Sequence, residues 1–232
     1  MIKVVSFKIC PFVQRVTAAL EAKKIPYKIE FISLKDKPDW FLDVSPNGQV
    51  PLLITESGAA LFESDAIIEF IEDEYGPLEH GVTNEQRALD RAWSYLATKN
   101  YMTQCGTMSS KGQETFNQRL ERLDTVFAKA ERKLTGKTKF FKSDKLSNVD
   151  IAWLPLLHRA AIIKQQTTFD FLCGKPKMQA WQRALLASGL GHMSVAEDFE
   201  DAFNEFYLRN TYLSEAKSGS TGNSCDTVSC CM

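Results

Sequence analysis

The chain has 232 residues, enough for one large domain or two smaller ones with a sizeable buried core. Hydrophobic residues make up 44% and charged residues 25%, a typical globular composition, and 28 basic against 29 acidic side chains give a net charge of −1. This balance excludes a strong attraction to nucleic acid or to an anionic membrane surface.

The first third of the chain predicts a small α/β domain. Apolar patterns indicate four strands and two helices, with the strands at residues 2–7, 27–32, 50–55 and 60–62 and the helices at 12–23 and 64–75. The initial β-α-β order implies a right-handed crossover and parallel pairing of the first two strands. Turn-forming residues at 56–58 place the last two strands in a hairpin. We therefore expect a βαβ-ββα unit.

From Thr83 onward the sequence predicts only helices. Thr83 with Gln86, and Ser147 with Asp150, have the spacing of capping boxes, in which each side chain satisfies a backbone amide of the other residue. Helical patterns cover residues 83–108, 112–134, 147–164, 176–187 and 195–212. The second part of the chain is therefore expected to be all-helical.

The predicted organisation is an α/β domain at 1–79, an all-helical domain at 83–214 and a tail at 215–232. The tail is rich in Ser, Gly and Thr, so we predict that it is disordered. It carries three cysteines, Cys225, Cys230 and Cys231. Clustered thiols can bind a soft metal, but a four-ligand site needs another residue, and we expect no metal.

The compartment is predicted from what the sequence lacks. No signal-peptide pattern precedes the first strand, and no run of eighteen apolar residues occurs, so we expect a cytoplasmic protein without stable membrane insertion. In a reducing compartment scattered cysteines stay free, and Cys105 and Cys173 are predicted to be packed thiols.

The most informative local feature is Cys10 followed by Pro11. Proline favours the first helical position, which makes Cys10 the N-cap of the first helix. Unpaired amides and the helix dipole stabilise negative charge there, so the pattern predicts a thiol pKa below the ~8.5 of a free cysteine. The alternative is a small buried apolar residue. Val13 stands where a C-x-x-C motif needs its second cysteine, so we expect the partner thiol to come from outside.

Three further sites suit the backbone and the ends of a peptide-like ligand. A cis bond between Val50 and Pro51 would present the N–H and C=O of Val50 to an extended peptide. Ser64, at a helix start, can bind a carboxylate while Glu63 receives an ammonium group. Lys37 can supply a cation for a distant carboxylate. The alternatives are an edge-strand proline, a plain helix cap and a solvated lysine, but together with the thiol these sites match glutathione end to end.

Six segments also carry a family resemblance, at residues 10–16, 23–28, 36–43, 45–51, 63–65 and 147–152. In these segments the chain resembles the cysteine-type glutathione transferases, especially the omega class and the plant dehydroascorbate reductases. The resemblance implies a thioredoxin-like N-terminal domain, glutathione bound on it as cosubstrate, and an all-α C-terminal domain.

The resemblance also implies roles for individual residues. Cys10 is implied to be the catalytic residue that forms a mixed disulfide with glutathione. The residues implied to contact glutathione are Phe12, Lys37, Val50, Pro51, Glu63 and Ser64. Among these, Lys37 is expected to meet the glycine carboxylate, Val50 the cysteinyl backbone, and Glu63 with Ser64 the γ-glutamyl end. An acceptor pocket is expected against the helical domain, with the candidates Trp93, Tyr95, Tyr101 and Met108.

The leading interpretation is a glutathione-dependent thiol transferase in which Cys10 attacks a glutathione mixed disulfide or an oxidised small molecule such as dehydroascorbate. Two alternatives stay open: conjugation of glutathione to electrophiles, and a non-catalytic binding protein, since intracellular chloride channel proteins share a Cys-Pro-Phe motif and this fold. The expected partners are glutathione and a small electrophilic or disulfide acceptor. Relatives occur as monomers and as dimers, which leaves a homodimer open.

Overall fold

The computed structural model describes residues 1–33, 35–167 and 169–216. Its first part alternates strands and helices, in the order β1 (Ile2–Ser6), α1 (Pro11–Ala22), β2 (Tyr27–Phe31), α2 (Asp39–Val44), β3 (Leu52–Ile54), β4 (Ala60–Phe62) and α3 (Ser64–Tyr75). The four strands form one sheet in the order β2-β1-β3-β4, with β1 and β2 parallel and the other pairs antiparallel. The predicted thioredoxin-like βαβ-ββα arrangement is confirmed.

The central strands β1 and β3 are apolar on both faces because both faces are covered. Val4 and Leu53 pack against α1 and α3 on one face, while Val5 and Leu52 pack against Phe41 of α2 on the other. Sequence patterns did not predict α2, because its six residues are too few for a helical period and its burial rests on Phe41 alone. The loop after α2 leads to Val50 and so carries one wall of the candidate site.

The second part of the described chain is all-helical, as predicted. Its helices are α4 (Asn84–Thr98), α5 (Tyr101–Met108), α6 (Gln113–Lys133), α7 (Asn148–Thr167), α8 (Pro176–Ala187), α9 (Leu190–Met193), α10 (Phe199–Tyr207) and α11 (Tyr212–Ala216). The largest buried cluster is centred on α7 and also takes in residues of α1, such as Ala18 and Ala19. Helix α1, which has Cys10 at its start, and the helical domain therefore share a core.

The capping predictions hold in position and differ in two details. The Thr83 hydroxyl accepts from the Gln86 amide at 3.2 Å at the start of α4, but the Gln86 side chain donates to Asp90 Oδ1 at 2.8 Å instead of bonding back to Thr83. At the start of α7, Asp150 Oδ2 accepts from the Ser147 amide at 2.9 Å. The Ser147 hydroxyl donates to the same carboxylate oxygen at 2.6 Å, instead of accepting an amide as predicted, because a buried carboxylate is the stronger acceptor.

The single helix predicted at 195–212 is divided. The structure has the short α9 before it, α10 within it and α11 at its end. Asn210 separates α10 from α11 with a φ of 56°, the left-handed conformation in which helices commonly end. Continuous apolar periodicity did not reveal this break.

The two cysteines predicted to be packed thiols, Cys105 and Cys173, differ in oxidation state. Cys105 is a buried free thiol, as predicted, whereas Cys173 is disulfide-bonded, so the prediction of a free thiol there is wrong. That prediction rested on the chemistry of a compartment, which does not determine which thiols a fold brings together. The predicted tail begins at residue 215. All of it from residue 217 onward, including Cys225, Cys230 and Cys231, lies outside the described residues.

The described ranges contain neither a helix that could span a membrane nor a group of side chains that could hold a metal ion. Within residues 1–33, 35–167 and 169–216, no helix combines the length and the apolar character needed to cross a membrane. In the same ranges, no three or more His, Cys, Asp or Glu side chains are grouped so that they could hold a metal ion.

Candidate active site

Cys10 lies where the loop after β1 becomes α1. It is the N-cap residue, with φ −72° and ψ 122°, and Pro11 is the first helical residue, as predicted. Its backbone is fixed on both sides, because its amide donates to the Phe7 carbonyl at 2.9 Å and its carbonyl accepts from the Gln14 amide at 3.1 Å. The thiol makes no capping bond to its own helix. Instead, Sγ donates toward the Val50 carbonyl oxygen at 4.0 Å.

Val50 reaches the thiol from the loop before β3. The Val50–Pro51 peptide bond is cis, in agreement with the sequence prediction. Among the backbone groups of the described residues, none pairs with the Val50 amide. An extended peptide can therefore bind this residue as a short additional strand beside the Cys10 sulfur.

A cleft of about 420 Å³, open to solvent, lies next to Val50. Its walls come from α1, the loop before β3, β4 and the start of α3, and its lining residues are Phe12, Ser45, Asn47, Gln49, Val50, Pro51, Phe62, Glu63 and Ser64. Five of the six residues predicted to bind glutathione are in this lining. The fold thus brings together segments that are up to about fifty residues apart in the chain.

Glu63 and Ser64 also line the cleft, whereas Cys10 is not among its lining residues and meets it through Val50. Ser64 is the first residue of α3 and Glu63 is its N-cap, so the expectation that Ser64 would be the cap is corrected by one position. The N-cap side chain makes no capping hydrogen bond here, so it leaves the first amides of α3 without the acceptor that a cap supplies. Glu63 has a φ of 65°, rare for a residue with a Cβ atom, and its Oε1 accepts from Asn47 Nδ2 at 3.0 Å.

Lys37 does not line the cleft. Its Nζ lies 3.6 Å from the position that a Cβ atom on Gly48 would take, on the loop that carries Asn47 and Gln49 to the cleft. Gly48 has a φ of 55°, which favours glycine. The structure therefore places this cation beside the loop, at the margin of the site.

Burial raises the pKa of the Cys10 thiol to about 11, and desolvation is the largest cause. The amides of Val13 and Phe12 and the charge of Arg159 lower the pKa, while the nearby Cys105 raises it. This is the reverse of the expectation from the sequence. The helix start does stabilise the thiolate, but the folded protein packed around Cys10, which includes the core of the α/β domain, removes the water that would solvate a negative charge.

Arg159 of α7 is the residue that sequence reasoning missed. Its guanidinium is fully buried and donates to the Ile9 carbonyl at 2.9 Å, to Gln14 Oε1, and to the Pro155 carbonyl at 3.2 Å. A charged residue within the apolar run of α7 was the available sign, since arginine is almost never fully buried without a partner. Its contact with the Cys10 turn spans 150 residues and cannot be inferred from spacing.

The four acceptor-pocket candidates lie in different surroundings. The Tyr101 ring meets the Phe12 ring edge to face, with their centroids 5.1 Å apart. Trp93 is part of an aromatic group inside the helical domain, and Met108 is fully buried in its core. Tyr95 lines a separate cavity between α3 and α4. Tyr101 is thus in contact with Phe12, a residue of the cleft.

A thioredoxin-like sheet, a cysteine at the start of α1, a cis-proline beside it and an all-helical second part together define a glutathione transferase architecture. Residues 9–74 match the family "Glutathione S-transferase, N-terminal domain", and residues 88–188 match "Glutathione S-transferase, C-terminal domain". The chain belongs to the glutathione S-transferase family.

Individual relatives agree with this. Glutathione S-transferase omega-1 of Sus scrofa is 27% identical over 215 residues, 91% of this chain and 88% of its own length. The probable cytosolic glutathione S-transferase DHAR1 of Oryza sativa subsp. japonica is 31% identical over 153 residues, 66% of this chain and 68% of its own. The crystal structure of glutathione transferase Omega 3C from Trametes versicolor superposes with a TM-score of 0.72 at 25% identity, covering 84% of this chain and 89% of that one. The resemblance inferred from the motifs is confirmed.

Proposed function

We propose that the protein is a glutathione-dependent thiol transferase and reductase in which Cys10 forms a mixed disulfide with glutathione. The observation that supports this most is the 4.0 Å approach of Cys10 Sγ to the carbonyl oxygen of Val50, a residue that lines the cleft. A tripeptide paired with Val50 would have its own sulfur next to Cys10. The similarity to omega-class and DHAR relatives supports the same reaction class.

The cleft offers a complementary group for each end of glutathione. The first amides of α3 and the Ser64 hydroxyl suit the γ-glutamyl carboxylate, and Glu63, oriented by Asn47, suits its ammonium group. The N–H and C=O of Val50 suit the cysteinyl backbone, and the margin that holds Lys37 suits the glycine carboxylate.

The proposed chemistry has two exchange steps. The Cys10 thiolate attacks the glutathionyl sulfur of a mixed disulfide, which forms a Cys10–glutathione disulfide and releases the acceptor as a thiolate. A glutathione thiolate then attacks the glutathionyl sulfur, which yields oxidised glutathione and regenerates the Cys10 thiolate. Because the pKa of Cys10 is raised, the thiolate is the minor form at neutral pH, and it is stabilised by the amides of Phe12 and Val13.

The replacement Cys10→Ser tests the mechanism. We expect turnover of dehydroascorbate and of a glutathione mixed disulfide to fall at least about a thousandfold, because serine cannot form the disulfide. Mass spectrometry should show one added glutathionyl group on the Cys10 peptide of the native protein. Cys105→Ala, which removes the buried thiol outside the cleft, is the control and should retain turnover. Undiminished turnover by Cys10→Ser would disprove the proposal.

One observation favours a second candidate function. A thiol that stays protonated can donate its S–H to the thiolate of bound glutathione, and so support conjugation to an electrophile. Comparing chlorodinitrobenzene conjugation with disulfide reduction distinguishes the two functions. Thiol transfer predicts that reduction dominates in the native protein. Conjugation that dominates there and survives in Cys10→Ser, whose hydroxyl is also a donor, would favour the second function.

We also propose the domain limits and the compartment expected from the sequence. A boundary between residues 79 and 83 is supported by the end of α3 at Tyr75, the start of α4 at Asn84, and the family matches that end at 74 and begin at 88. A cytoplasmic location is supported by the rice relative, which is named cytosolic.

A further inference from the structure

The guanidinium of Arg159 is a buried charge that no acidic side chain of the described residues neutralises. It is fully buried, its hydrogen-bond partners are the carbonyls of Ile9 and Pro155 and the amide oxygen of Gln14, and it lies over the Phe199 ring at 5.4 Å from the centroid, so all these partners are neutral. Its Nε has no hydrogen-bond partner. Among residues 1–33, 35–167 and 169–216, no carboxylate forms an ion pair with it, although Arg15, equally buried on α1, pairs with Asp65.

An unpaired buried charge is costly, and removing the partner of such a charge usually destabilises a protein strongly. Proteins therefore bury arginine almost always beside an anion. Here the side chain that turns anionic during the proposed reaction is the Cys10 thiol, one residue after the carbonyl that Arg159 holds. The thiolate is thus available as a transient counter-charge.

The other titratable groups that interact with Arg159 do not supply this counter-charge. From α5, the Cys105 thiol and the Tyr101 hydroxyl are neutral, since burial raises both pKa values, and the same is true of Tyr207 on α10. His158 stays uncharged because burial lowers its pKa to about 3. The remaining charges, Arg15 and Asp65, neutralise one another.

We propose that Arg159 is a positioning residue for Cys10: it fixes the turn before the thiol through the Ile9 carbonyl and supplies the positive charge that stabilises the Cys10 thiolate. The proposal rests on the proposed function, in which that thiolate reacts. Arg159 touches neither the cleft nor the sulfur in the contacts above, and it acts through the Ile9–Cys10 backbone and through its field. The Coulomb effect of Arg159 on Cys10 has the required direction.

The experiment measures the reactivity of Cys10 and needs no glutathione turnover, so its failure is separate from a failure of the proposed function. Full-length protein is treated with iodoacetamide at about pH 8.5, well below the thiol pKa, where the rate follows the thiolate fraction. Cleavage after Lys8 and Arg15 releases the Cys10 peptide 9–15, whose carboxamidomethylation is followed by mass spectrometry. The three variants are Arg159→Lys, Arg159→Gln and Arg159→Met.

Arg159→Gln keeps a hydrogen-bond donor without the charge, Arg159→Lys keeps both a donor and the charge, and Arg159→Met keeps only the volume of the side chain. We expect Gln and Met to slow alkylation about tenfold, equivalent to one pKa unit, and Lys to stay within about threefold of the native rate. Arg119→Met is the matched control, because Arg119 also donates to a backbone carbonyl, that of Gly106, and the alkylation rate should not change.

Two outcomes would overturn the proposal. Native alkylation in Arg159→Gln would show that the charge has no influence on Cys10. Equal slowing in Lys, Gln and Met would show that only the shape of the arginine matters. Should Arg159→Met fail to fold, the comparison of Gln with Lys still decides between these outcomes, because both retain a donor for the Ile9 carbonyl.

Discussion

Two helix starts in this protein have opposite designs. At the start of α7, Asp150 accepts four hydrogen bonds: from the amide and hydroxyl of Ser147 at 2.9 and 2.6 Å, from the Phe141 amide at 2.9 Å, and from Trp181 Nε1 at 2.7 Å. At the start of α1, Cys10 caps nothing with its side chain, and no acidic residue lies in the first turn. One start is saturated with polar contacts and the other is left unsaturated.

The difference shows how a fold separates stability from chemistry. A saturated helix start buried in the core fixes the orientation of α7, and α7 in turn carries Arg159 to the Cys10 turn. An unsaturated start keeps its amides available to a thiolate or to a ligand. The start of α3 resembles the start of α1, because its N-cap side chain makes no capping hydrogen bond, and its residues Glu63 and Ser64 line the cleft. Three measurements test this comparison.

The largest effect is expected in the pH dependence of Cys10 alkylation. With a pKa of about 11, the thiol is the main form below that pH, and the thiolate fraction should rise about tenfold per pH unit, or about a thousandfold from pH 7 to 10. The synthetic peptide 9–15 is the control, and its rate should level off above its ordinary pKa of ~8.5. A native rate that levels off below about pH 8 would instead support the low pKa expected from the helix start alone.

The next effect is on stability, at the saturated start. Asp150→Ala leaves the amides of Ser147 and Phe141 and the Trp181 indole without an acceptor, and we expect the free energy of unfolding in urea to fall by about 3 kcal/mol. Asp144→Ala, which removes an exposed acceptor of the Lys139 amide, should cost less than about 1 kcal/mol. Equal losses in the two variants would contradict the distinction between a buried and an exposed acceptor of backbone amides.

The smallest effect concerns the start of α3. Ser64→Ala removes one hydroxyl from the proposed γ-glutamyl site, and we expect the KM for glutathione to rise about tenfold, the usual cost of a hydrogen bond to a charged group, with little change in kcat. Ser57→Ala, in the exposed β3–β4 turn, is the control and should leave KM unchanged. A normal KM in Ser64→Ala would remove Ser64 from the glutathione site.

Much of the fold could be predicted from short stretches of sequence. Pro11 marks the start of α1, Gly76 follows the end of α3, and Ser147 with Asp150 marks the start of α7. Each of these depends on residues within one helical turn, where backbone geometry and capping follow directly from residue type. The breaks around α10 and the existence of α2 were not predicted, because a bend or a six-residue helix leaves too weak a period.

The sequence by itself determined which chemical groups the candidate site contains: a cysteine at a helix start, a proline beside Val50, and a Glu63-Ser64 pair at the start of α3. Only the tertiary structure decided how Cys10 behaves, because its desolvation comes from the folded protein packed around it, and the positive charge that lowers its pKa comes from Arg159, 150 residues beyond Ile9. Capping depends on neighbours in the chain, whereas solvation and electric field depend on every group that folding brings within reach.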